Sequence, residues 1–391
     1  MAYLVNNKYA DFEGKRIYLS SDIDISGRKW MSFGSNSFPF KGTLDGQGHG
    51  IFGMSSEYGF ISEMVGATIA NLTLHGYIYS NGYNYIGGLA DYAGASIFKK
   101  CVCDVTIIIN QDHKGYESYI GGLVGRSWQD FSDGWKPTCI SYCTFDGEIK
   151  CKMKGDPTYI GGIVGASNNT KIDCCENNAS KISVESEGYP STGEHQAIRV
   201  CGIEGYGVSF KESEITCCRS ICSYTVKHNA SADRYYPNIW ICGIGGKSVN
   251  CFSVIPSITI SATNSCSPNY YGIGEKQIQA NYSNSDVNIQ TTLNVKQSNS
   301  GSTSFTSAQM QTPGFLQELN MYPMLEMDGP MWTQDEGGYP YIAKLHEASG
   351  ISSVFVDKAQ DDKNIYTLSG QRQTSPKKGI NIVGGKKVVV R

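Results

Sequence analysis

Acidic side chains are the first candidates for chemistry, because a glycoside hydrolase needs two carboxyl groups that face each other across the bond it cleaves. Asp104 and Asp146 each follow a cysteine-containing segment, so they would lie on adjacent turns if those segments stacked. Asp173, Glu176 and Glu214 are scattered. A calcium-dependent lyase would need clustered aspartates beside an Arg or Lys base, and we find no such motif. We therefore favour a solvated outer face for Asp104 and Asp146 and assign no catalytic residue.

The 14 cysteines are the second candidates. Cys101, Cys143, Cys175 and Cys218 occupy comparable places in successive strand-like segments, and comparable places in stacked parallel strands lie about 4.8 Å apart. We expect a buried ladder of mostly unbridged thiols, with disulfides between neighbouring turns as the alternative. Adjacent pairs such as Cys174 and Cys175 lack the spacing and the histidine partners of a zinc site. We predict no metal site and no cofactor.

Tyrosine is abundant, with 25 residues, in segments that we expect at the surface. Its ring is a rigid, amphipathic contact face that suits the binding of glycans or proteins. For the tyrosines of the repeats, Tyr85, Tyr119 and Tyr159, stacking that stabilises the fold is at least as good an explanation. The predicted binding residues are Tyr77, Tyr79, Tyr235, Tyr236, Tyr270 and Tyr271.

A recurring phrase must position these side chains: an aromatic or apolar pair, a glycine, an apolar residue and another glycine. Its clearest copies begin at Tyr119 and Tyr159, and a looser copy runs from Tyr85 to Ala90. Equivalent glycines are separated by 29 to 41 residues, a period typical of repeat architectures. We expect these glycines to stack along one edge of the repeats: Gly88, Gly122, Gly162, Gly202 and Gly243.

Two or three short strands per repeat, with almost no helical periodicity, indicate an all-β fold in which each repeat is one coil of a parallel β-solenoid. The second strand-like segments include 96–103, 139–145 and 171–175. Loops of varying length explain the drifting interval, because insertions leave at the corners while the strands keep their places.

Composition excludes several partners. The net charge is −3 and charged residues make up 18% of the chain, so nothing indicates nucleic-acid or anionic-membrane binding. No apolar run approaches the ~20 residues of a membrane helix, so we expect no membrane insertion. The first residues lack the basic and apolar regions of a signal peptide, and we expect that a leader was removed. The sequence does not define an oligomeric state.

The stretch from Gly14 to Ile51, with its Phe-x-Gly-x-Leu-Asp-Gly-x-Gly-His-x-Ile pattern, resembles the start of bacterial surface proteins that carry GLUG repeats. That family is named for the same Gly-Gly-Leu-Val-Gly phrase, and the resemblance covers most of residues 1–345. It implies a right-handed parallel β-helix, secretion and repeats that usually lack activity of their own. Related repeats occur beside immunoglobulin-cleaving peptidase domains in larger proteins.

The end of the chain has a different character. Thr312 and Pro313 predict the start of a helix, which leads to Trp332 and Tyr339-Pro-Tyr341. In GLUG-like chains such a helix and Trp segment close the repeats, so we expect a cap that shields the last coil. Residues 350–391 read as a small separate β module. Its Leu-Ser-Gly-Gln-Arg and Lys-Gly-Ile-Asn-Ile-Val sequences resemble the sorting domain of type IX secretion cargo, which implies a Gram-negative source.

The leading functional hypothesis is a secreted or cell-surface β-helix, 1–345, that is not an enzyme and acts as an adhesin or recognition module for a glycan or a surface protein. One alternative is a polysaccharide-active β-helix enzyme, a lyase or a glycosidase. The other is a structural spacer that displays another module.

Overall fold

The computed structural model describes most of the chain. The described residues are 2–82, 84–111, 117–128, 136–154, 157–188, 197–207, 212–230, 238–263, 266, 268–274, 276–298, 302–322, 331–346, 365–367, 372–373, 379–383 and 386–390. The chain divides into two compact units, 1–346 and 347–391. From the sequence we predict that the first domain ends at residue 345 and that the second begins at residue 350.

The first unit is all-β with long parallel sheets, as the repeats predict. In the described part of this unit the chain visits four parallel sheets in a fixed order, coil after coil, which gives a solenoid-like fold. The first sheet contains the strands Arg16–Tyr18, Thr43–Asp45, Thr68–Ala70, Ile97–Lys99, Thr138–Ser141, Thr170–Asp173, Glu214–Thr216, Lys247–Val249 and Lys276–Gln279. The third contains Tyr85–Gly87, Ser118–Gly121, Thr158–Gly161, Ala197–Cys201, Asn238–Cys242, Asn269–Tyr271 and Lys296–Ser298.

The second sheet is the largest, because most coils give it two strands or one long strand. Its strands are Ile23–Asp24, Gly50–Ser56, Thr73–Ser80, Val102–Gln111, Thr144–Phe145, Glu148–Lys154, Glu176–Asn177, Lys181–Gly188, Arg219–Ile221, Ser223–Ala230, Phe252–Val254, Ser257–Ala262, Asn281–Asn284, Asn288–Gln290 and Ser302–Phe305. The fourth sheet contains Ile61–Val65, Ala90–Gly94, Val124–Trp128, Val164–Ser167 and Glu204–Gly207. Apolar side chains of all four sheets fill one continuous core between them.

The corner between the first and second sheets is one residue in the left-handed conformation. Lys100, for example, has a φ of 53°. Segment 96–103, which the sequence predicts as one strand, is therefore two strands that Lys100 separates. The same break divides segments 139–145 and 171–175, because a non-glycine residue with positive φ ends the extended run. The corner residues are Asn71, Lys100, Tyr142, Cys174, Cys217, Asn250 and Ala280.

The residue after each corner points into the core. Cys101, Cys143, Cys175 and Cys218 are fully buried there, and Cys251 extends the row by one coil. All five thiols are unbridged, so the predicted cysteine ladder is confirmed. Thiols of this row also contact the backbone of a neighbouring coil. The amide of Cys175, for example, donates to Sγ of Cys218 at 3.4 Å.

The corner between the third and fourth sheets carries the repeat glycines. The amide of Gly88 donates to the carbonyl oxygen of Gly122 at 3.1 Å. A Cβ atom on any of these glycines would collide with the carbonyl oxygen of the glycine in the next coil. Glycine is therefore required at this corner by the close approach of two backbones. The glycines that would collide in this way are Gly88, Gly122, Gly162, Gly202 and Gly243, and Gly272 supplies the carbonyl oxygen that a Cβ on Gly243 would meet.

Helical segments pack on the coils. Thr312 accepts a hydrogen bond from the amide of Phe315 and Pro313 is the first helical residue, as predicted. The ring of Phe315 packs on Phe252 with centroids 5.6 Å apart, and Trp332 packs on Phe252 at 5.3 Å. The described helices are Ala2–Lys8, the 3-10 helix Gln309–Gln311, Pro313–Asn320 and Ala343–His346, and Trp332–Thr333 pairs antiparallel with Tyr341–Ile342.

These contacts place the helix and Trp332 against the side of the stack. The buried side chains Met310, Phe315, Leu319, Met331, Trp332 and Ile342 pack against Cys174, Cys217, Phe252 and Tyr282, which belong to four successive coils. The segment thus covers the side of these coils, whereas the sequence predicts a cap that shields the last coil.

The second unit contains an antiparallel sheet in its described residues. The strands are Ile365–Thr367, Arg372–Gln373, Gly379–Val383 and Lys386–Val390. Among the helices of the described chain, none has the length and apolar character needed to cross a bilayer.

Candidate functional site

The predicted binding tyrosines that the structure describes lie on different sheets, Tyr77 and Tyr79 on the second and Tyr270 and Tyr271 on the third. Tyr77 and Tyr79 are exposed on the outer face of the second sheet, at 62% and 49% of their surface. Tyr271 is half-buried. Tyr235 and Tyr236 lie outside the described residues.

The prediction that Tyr270 is a surface residue is wrong, because only 3% of its surface is exposed. It is paired in register with Ile241 and continues an inward row of isoleucine and valine side chains. Its place in the repeat phrase is that of Ile86 and Ile120, so the alignment of the repeats already contained this information.

The acidic residues considered for catalysis are on neighbouring coils but are occupied by structural partners. Asp104 contacts Nδ1 of His75 at 2.9 Å, and Asp146 accepts a hydrogen bond from Asn178 at 3.0 Å. Glu176 is fully buried and pairs with Arg219 at 2.8 Å. Each of these three carboxylates is thus held by a side chain of the protein.

The aromatic residues of the repeat phrase gather on the outer faces of the third and fourth sheets. The rings of Tyr85, Tyr119 and Tyr159 stack on successive coils, with centroids 5.8 and 5.4 Å apart. Tyr206 packs against Tyr159 at 4.5 Å. Tyr119 and Tyr159 are buried, so this part of the cluster stabilises the coils. This agrees with the alternative explanation of the repeat tyrosines, in which their stacking stabilises the fold.

One end of the aromatic cluster opens into a pocket with a volume of about 560 Å³, within the usual size range of small-molecule sites. Three successive coils supply its walls. We call it the Asp91 pocket, and its principal side chains are Tyr58, Glu63, Tyr85, Asp91, Tyr92 and Arg126. All of these except Asp91 are half-buried.

Asp91 is the most unusual group in the pocket, with 6% of its surface exposed. Its Oδ1 accepts hydrogen bonds from the amides of Gly59 at 2.8 Å and Gly87 at 3.2 Å. Its Oδ2 is buried and has no hydrogen-bond partner among the described residues. Burial raises the pKa of Asp91 well above its usual range, although the two amides lower it. The carboxyl group is therefore held as a neutral acid at a higher pH than an ordinary aspartate.

Glu63 is the second carboxyl group of the pocket. It is paired in register with Tyr92, so the two side chains lie side by side on adjacent coils. Burial raises the pKa of Glu63 from its ordinary value. No Lys, Arg or His of the described chain lies within the 4.0 Å of an ion pair with Glu63.

Arg126 closes one side of the pocket and is engaged by aromatic rings. Its Nη1 donates to the hydroxyl of Tyr85 at 2.6 Å. Its guanidinium lies 4.1 Å from the ring centroid of Trp128 and 5.0 Å from that of Tyr85, within the range of cation–π interactions. Its Nε is buried without a partner among the described residues.

The sequence contains a signal for this site that our comparison of the repeats did not use. Asp91 stands where later copies of the phrase have Gly125, Gly165 and Gly205. A Cβ atom at Gly125 would collide with the amide of Ile86, so those copies need glycine. Asp91 is therefore a visible departure from the pattern of the repeats.

No metal centre is found in the described residues, where no group of three or more His, Cys, Asp or Glu side chains is placed to hold an ion. The pocket instead combines aromatic faces with hydrogen-bonding groups that have no partner. This combination suits a small organic ligand with an apolar face and hydroxyl groups at its edge.

A scan against models of known protein families matches none of them, and a search of curated proteins finds no match. Among solved structures, the chain is similar to a protein from Bacteroides ovatus described as a "putative immunoglobulin A1 protease". The identity is 16%, the TM-score is 0.50, and the match covers 85% of this chain and 87% of the other. At this identity the likeness shows a shared fold.

Proposed function

We propose that the chain is a recognition module of a secreted or cell-surface protein and that it binds a glycan in the Asp91 pocket without cleaving it. The observation that carries the proposal is the buried, partnerless Oδ2 of Asp91 in a pocket walled by Tyr58, Tyr85 and Tyr92. Sugar rings present an apolar face to aromatic side chains and hydroxyl groups to polar ones, so one ligand satisfies both features.

The remaining features of the proposal follow from the repeats and the resemblance to GLUG-repeat proteins. We propose that the four sheets wind as a right-handed parallel β-helix, because nearly all connections between parallel strands of one sheet are right-handed. We propose that the unit 347–391 serves as the secretion address. The exposed Tyr77 and Tyr79 form a secondary contact surface on the outer face of the second sheet.

Binding to a glycan microarray tests this function, with the purified chain labelled at its N-terminus. We expect a restricted set of glycans to bind and Tyr92→Ala to abolish their binding. Tyr18→Ala is the matched control, because it removes a tyrosine that is 50% exposed on the first sheet, outside the pocket and outside the secondary contact surface. A chain that binds only proteins of the host surface, or nothing, would contradict the glycan proposal.

A polysaccharide-active enzyme is the second candidate, and the presence of two carboxyl groups with raised pKa values in one pocket favours it. An enzyme would use Asp91 as a general acid and Glu63 as its partner. The Asp91→Asn variant separates the candidates, because an amide can hydrogen-bond a ligand but cannot transfer a proton. Release of reducing sugar or unsaturated product by the native chain, lost in Asp91→Asn, would establish the enzyme.

A further inference from the structure

The charges in the Asp91 pocket restrict what it can bind. Glu63 and Asp91 are both carboxyl groups, and neither has an ion-pair partner among the described residues. Among the described residues of the pocket wall the one cation is Arg126, which donates to Tyr85 and is stacked on Trp128. An anionic ligand would therefore bring its charge next to Glu63 in a half-buried site, where like charges repel strongly.

The hydrogen-bonding groups point to hydroxyl groups on the ligand. Oδ2 of Asp91 and Nε of Arg126 are both buried without a partner in the described chain, so a ligand reaches either atom only after a small shift of the pocket wall. A buried polar group without a partner is destabilising, so a ligand that supplies the missing partner gains affinity. A sugar hydroxyl both donates and accepts, and it can therefore serve either group.

We propose that the Asp91 pocket selects an uncharged sugar residue, which Asp91 hydrogen-bonds through Oδ2, and that Glu63 excludes anionic sugars. This inference rests on the proposed function and names the class of ligand. Asp91 is the hydrogen-bonding residue and Glu63 the specificity-determining residue. Tyr85 and Tyr92 supply the aromatic faces against which the sugar ring packs.

The raised pKa of Asp91, which its burial in the pocket causes, agrees with this assignment. A bound sugar displaces water from the pocket, so an ionised Asp91 would lose further solvation. The other titratable groups of the wall are Glu63, Tyr58, Tyr85, Tyr92 and Arg126, and Glu63 would add repulsion. Binding should therefore weaken as the pH rises and Asp91 ionises, whereas Asp91→Asn should bind equally well over the same range.

The experiment compares neutral and acidic glycans on one array: glucans, mannans, xylans and N-acetyllactosamine chains against polygalacturonate and sialylated lactosamine. Calorimetry then measures the dissociation constant of the neutral oligosaccharide that binds best. We expect neutral glycans to bind at least about tenfold more tightly than acidic ones, as expected for a charge mismatch worth about 1.4 kcal/mol.

Three variants test the roles of the two carboxyl groups. Asp91→Gly, which restores the glycine of the other copies, should weaken neutral binding about tenfold or more, and Asp91→Asn should stay within about threefold. Glu63→Gln should leave neutral binding within about threefold and raise the affinity for acidic glycans. Because Asp91→Gly also removes the acceptor of two amides, Tyr92→Ala is the second loss-of-binding variant, and melting temperatures are compared for all variants.

The outcomes separate the inference from the proposed function. Preference of the native chain for acidic glycans, or acidic binding that Glu63→Gln leaves unchanged, overturns the inference while glycan recognition stands. Absence of binding to both classes of glycan overturns the proposed function itself. Neutral preference with loss in Asp91→Gly and a gain of acidic binding in Glu63→Gln supports both.

Discussion

At the scale of single residues, burial controls the chemistry of the ionisable groups. Asp91 and three of the ladder thiols, Cys175, Cys218 and Cys251, lie in surroundings that exclude water, and burial raises the pKa of each of these groups. A neutral carboxyl group is still a hydrogen-bond donor and acceptor, as the proposed role of Asp91 requires. A neutral thiol is much less reactive, because thiol reactivity requires the thiolate.

Asp91 should make stability depend on pH. Its folded-state pKa is raised above that of an unfolded aspartate, so the folded chain binds this proton more tightly. The free energy of unfolding should therefore fall as the pH rises from about 4 toward the raised value. Asp91→Asn should remove this part of the dependence and be more stable than the native chain at neutral pH. Urea unfolding from pH 4 to 8 measures it, and parallel curves for the two proteins would contradict the burial argument.

The thiols should be unreactive in the folded chain. Thirteen of the fourteen cysteines are buried and Cys139 is half-exposed. Burial raises the pKa values of Cys103 and Cys151, which lowers the thiolate fraction further. Titration with a chromogenic disulfide at pH 8 should find at most about one reactive thiol in the native chain. In denaturant without reductant it should find most of the fourteen, and a count near zero there would show disulfides.

At the scale of elements, the corners store strain and the C-terminal segment depends on one buried charge. Each corner residue takes a left-handed conformation, which costs a side-chain-bearing residue about 1–2 kcal/mol. Residues 331–346 pack through Trp332 and Ile342, but their polar anchor is Glu176.

Glycine at a corner should stabilise the chain. Lys100 is exposed and has a φ of 53°, so Lys100→Gly removes strain without removing a contact of the core. After the entropy cost of glycine in the unfolded chain, the gain should be up to about 1 kcal/mol. Lys99→Gly is the matched control, because Lys99 is an exposed strand residue where glycine costs about 0.5–1 kcal/mol. Equal effects of the two changes in urea unfolding would argue against a strained corner.

Removal of the Glu176 side chain should destabilise the chain strongly. Glu176 accepts a hydrogen bond from the amide of Ile342 at 2.7 Å, pairs with Arg219 and contacts His346 at 3.1 Å. Glu176→Ala leaves the buried Arg219 unpaired, for which we expect a loss of about 3–5 kcal/mol. Glu214→Ala, at an exposed strand position, should cost less than about 0.5 kcal/mol.

The same anchor should be sensitive to acid. Burial opposes the charge of Glu176, but Arg219 and His346 hold its pKa below the ordinary value. A lowered folded-state pKa means that this stabilisation is complete above the unfolded value, near 4.5, and is lost as the pH falls through the folded value. Proteolysis with pepsin over a series of acidic pH values should first cut segment 331–346, and uniform cutting would contradict this order.

At the scale of the whole molecule, the two units should differ in what they contribute to stability. The unit 1–346 contains the continuous core, and the unit 347–391 has about the size below which a domain rarely has a stable core of its own. Deletion of 347–391 should leave the melting temperature within a few degrees while abolishing surface delivery in the native host. Deletion from 331 onward, which also removes Trp332, should lower it by more than 10 °C, roughly as the loss of several buried side chains predicts. If the chain without 347–391 unfolds, or is still delivered to the surface, the proposal that this unit is a secretion signal is wrong.

What the sequence by itself determined is the all-β repeat architecture, the rows of glycines and cysteines, and the start of the helix at Thr312. All of these depend on patterns that are local or that recur with a visible period. The tertiary structure alone decided which side chains meet across coils: Asp91 with the amides of Gly59 and Gly87, and Glu176 with Arg219 and His346. Those partners are separated by up to 170 positions along the chain, and loops of unequal length conceal their register. Burial also decides whether a tyrosine or a carboxylate is a surface group, and burial is a property of the packed coils.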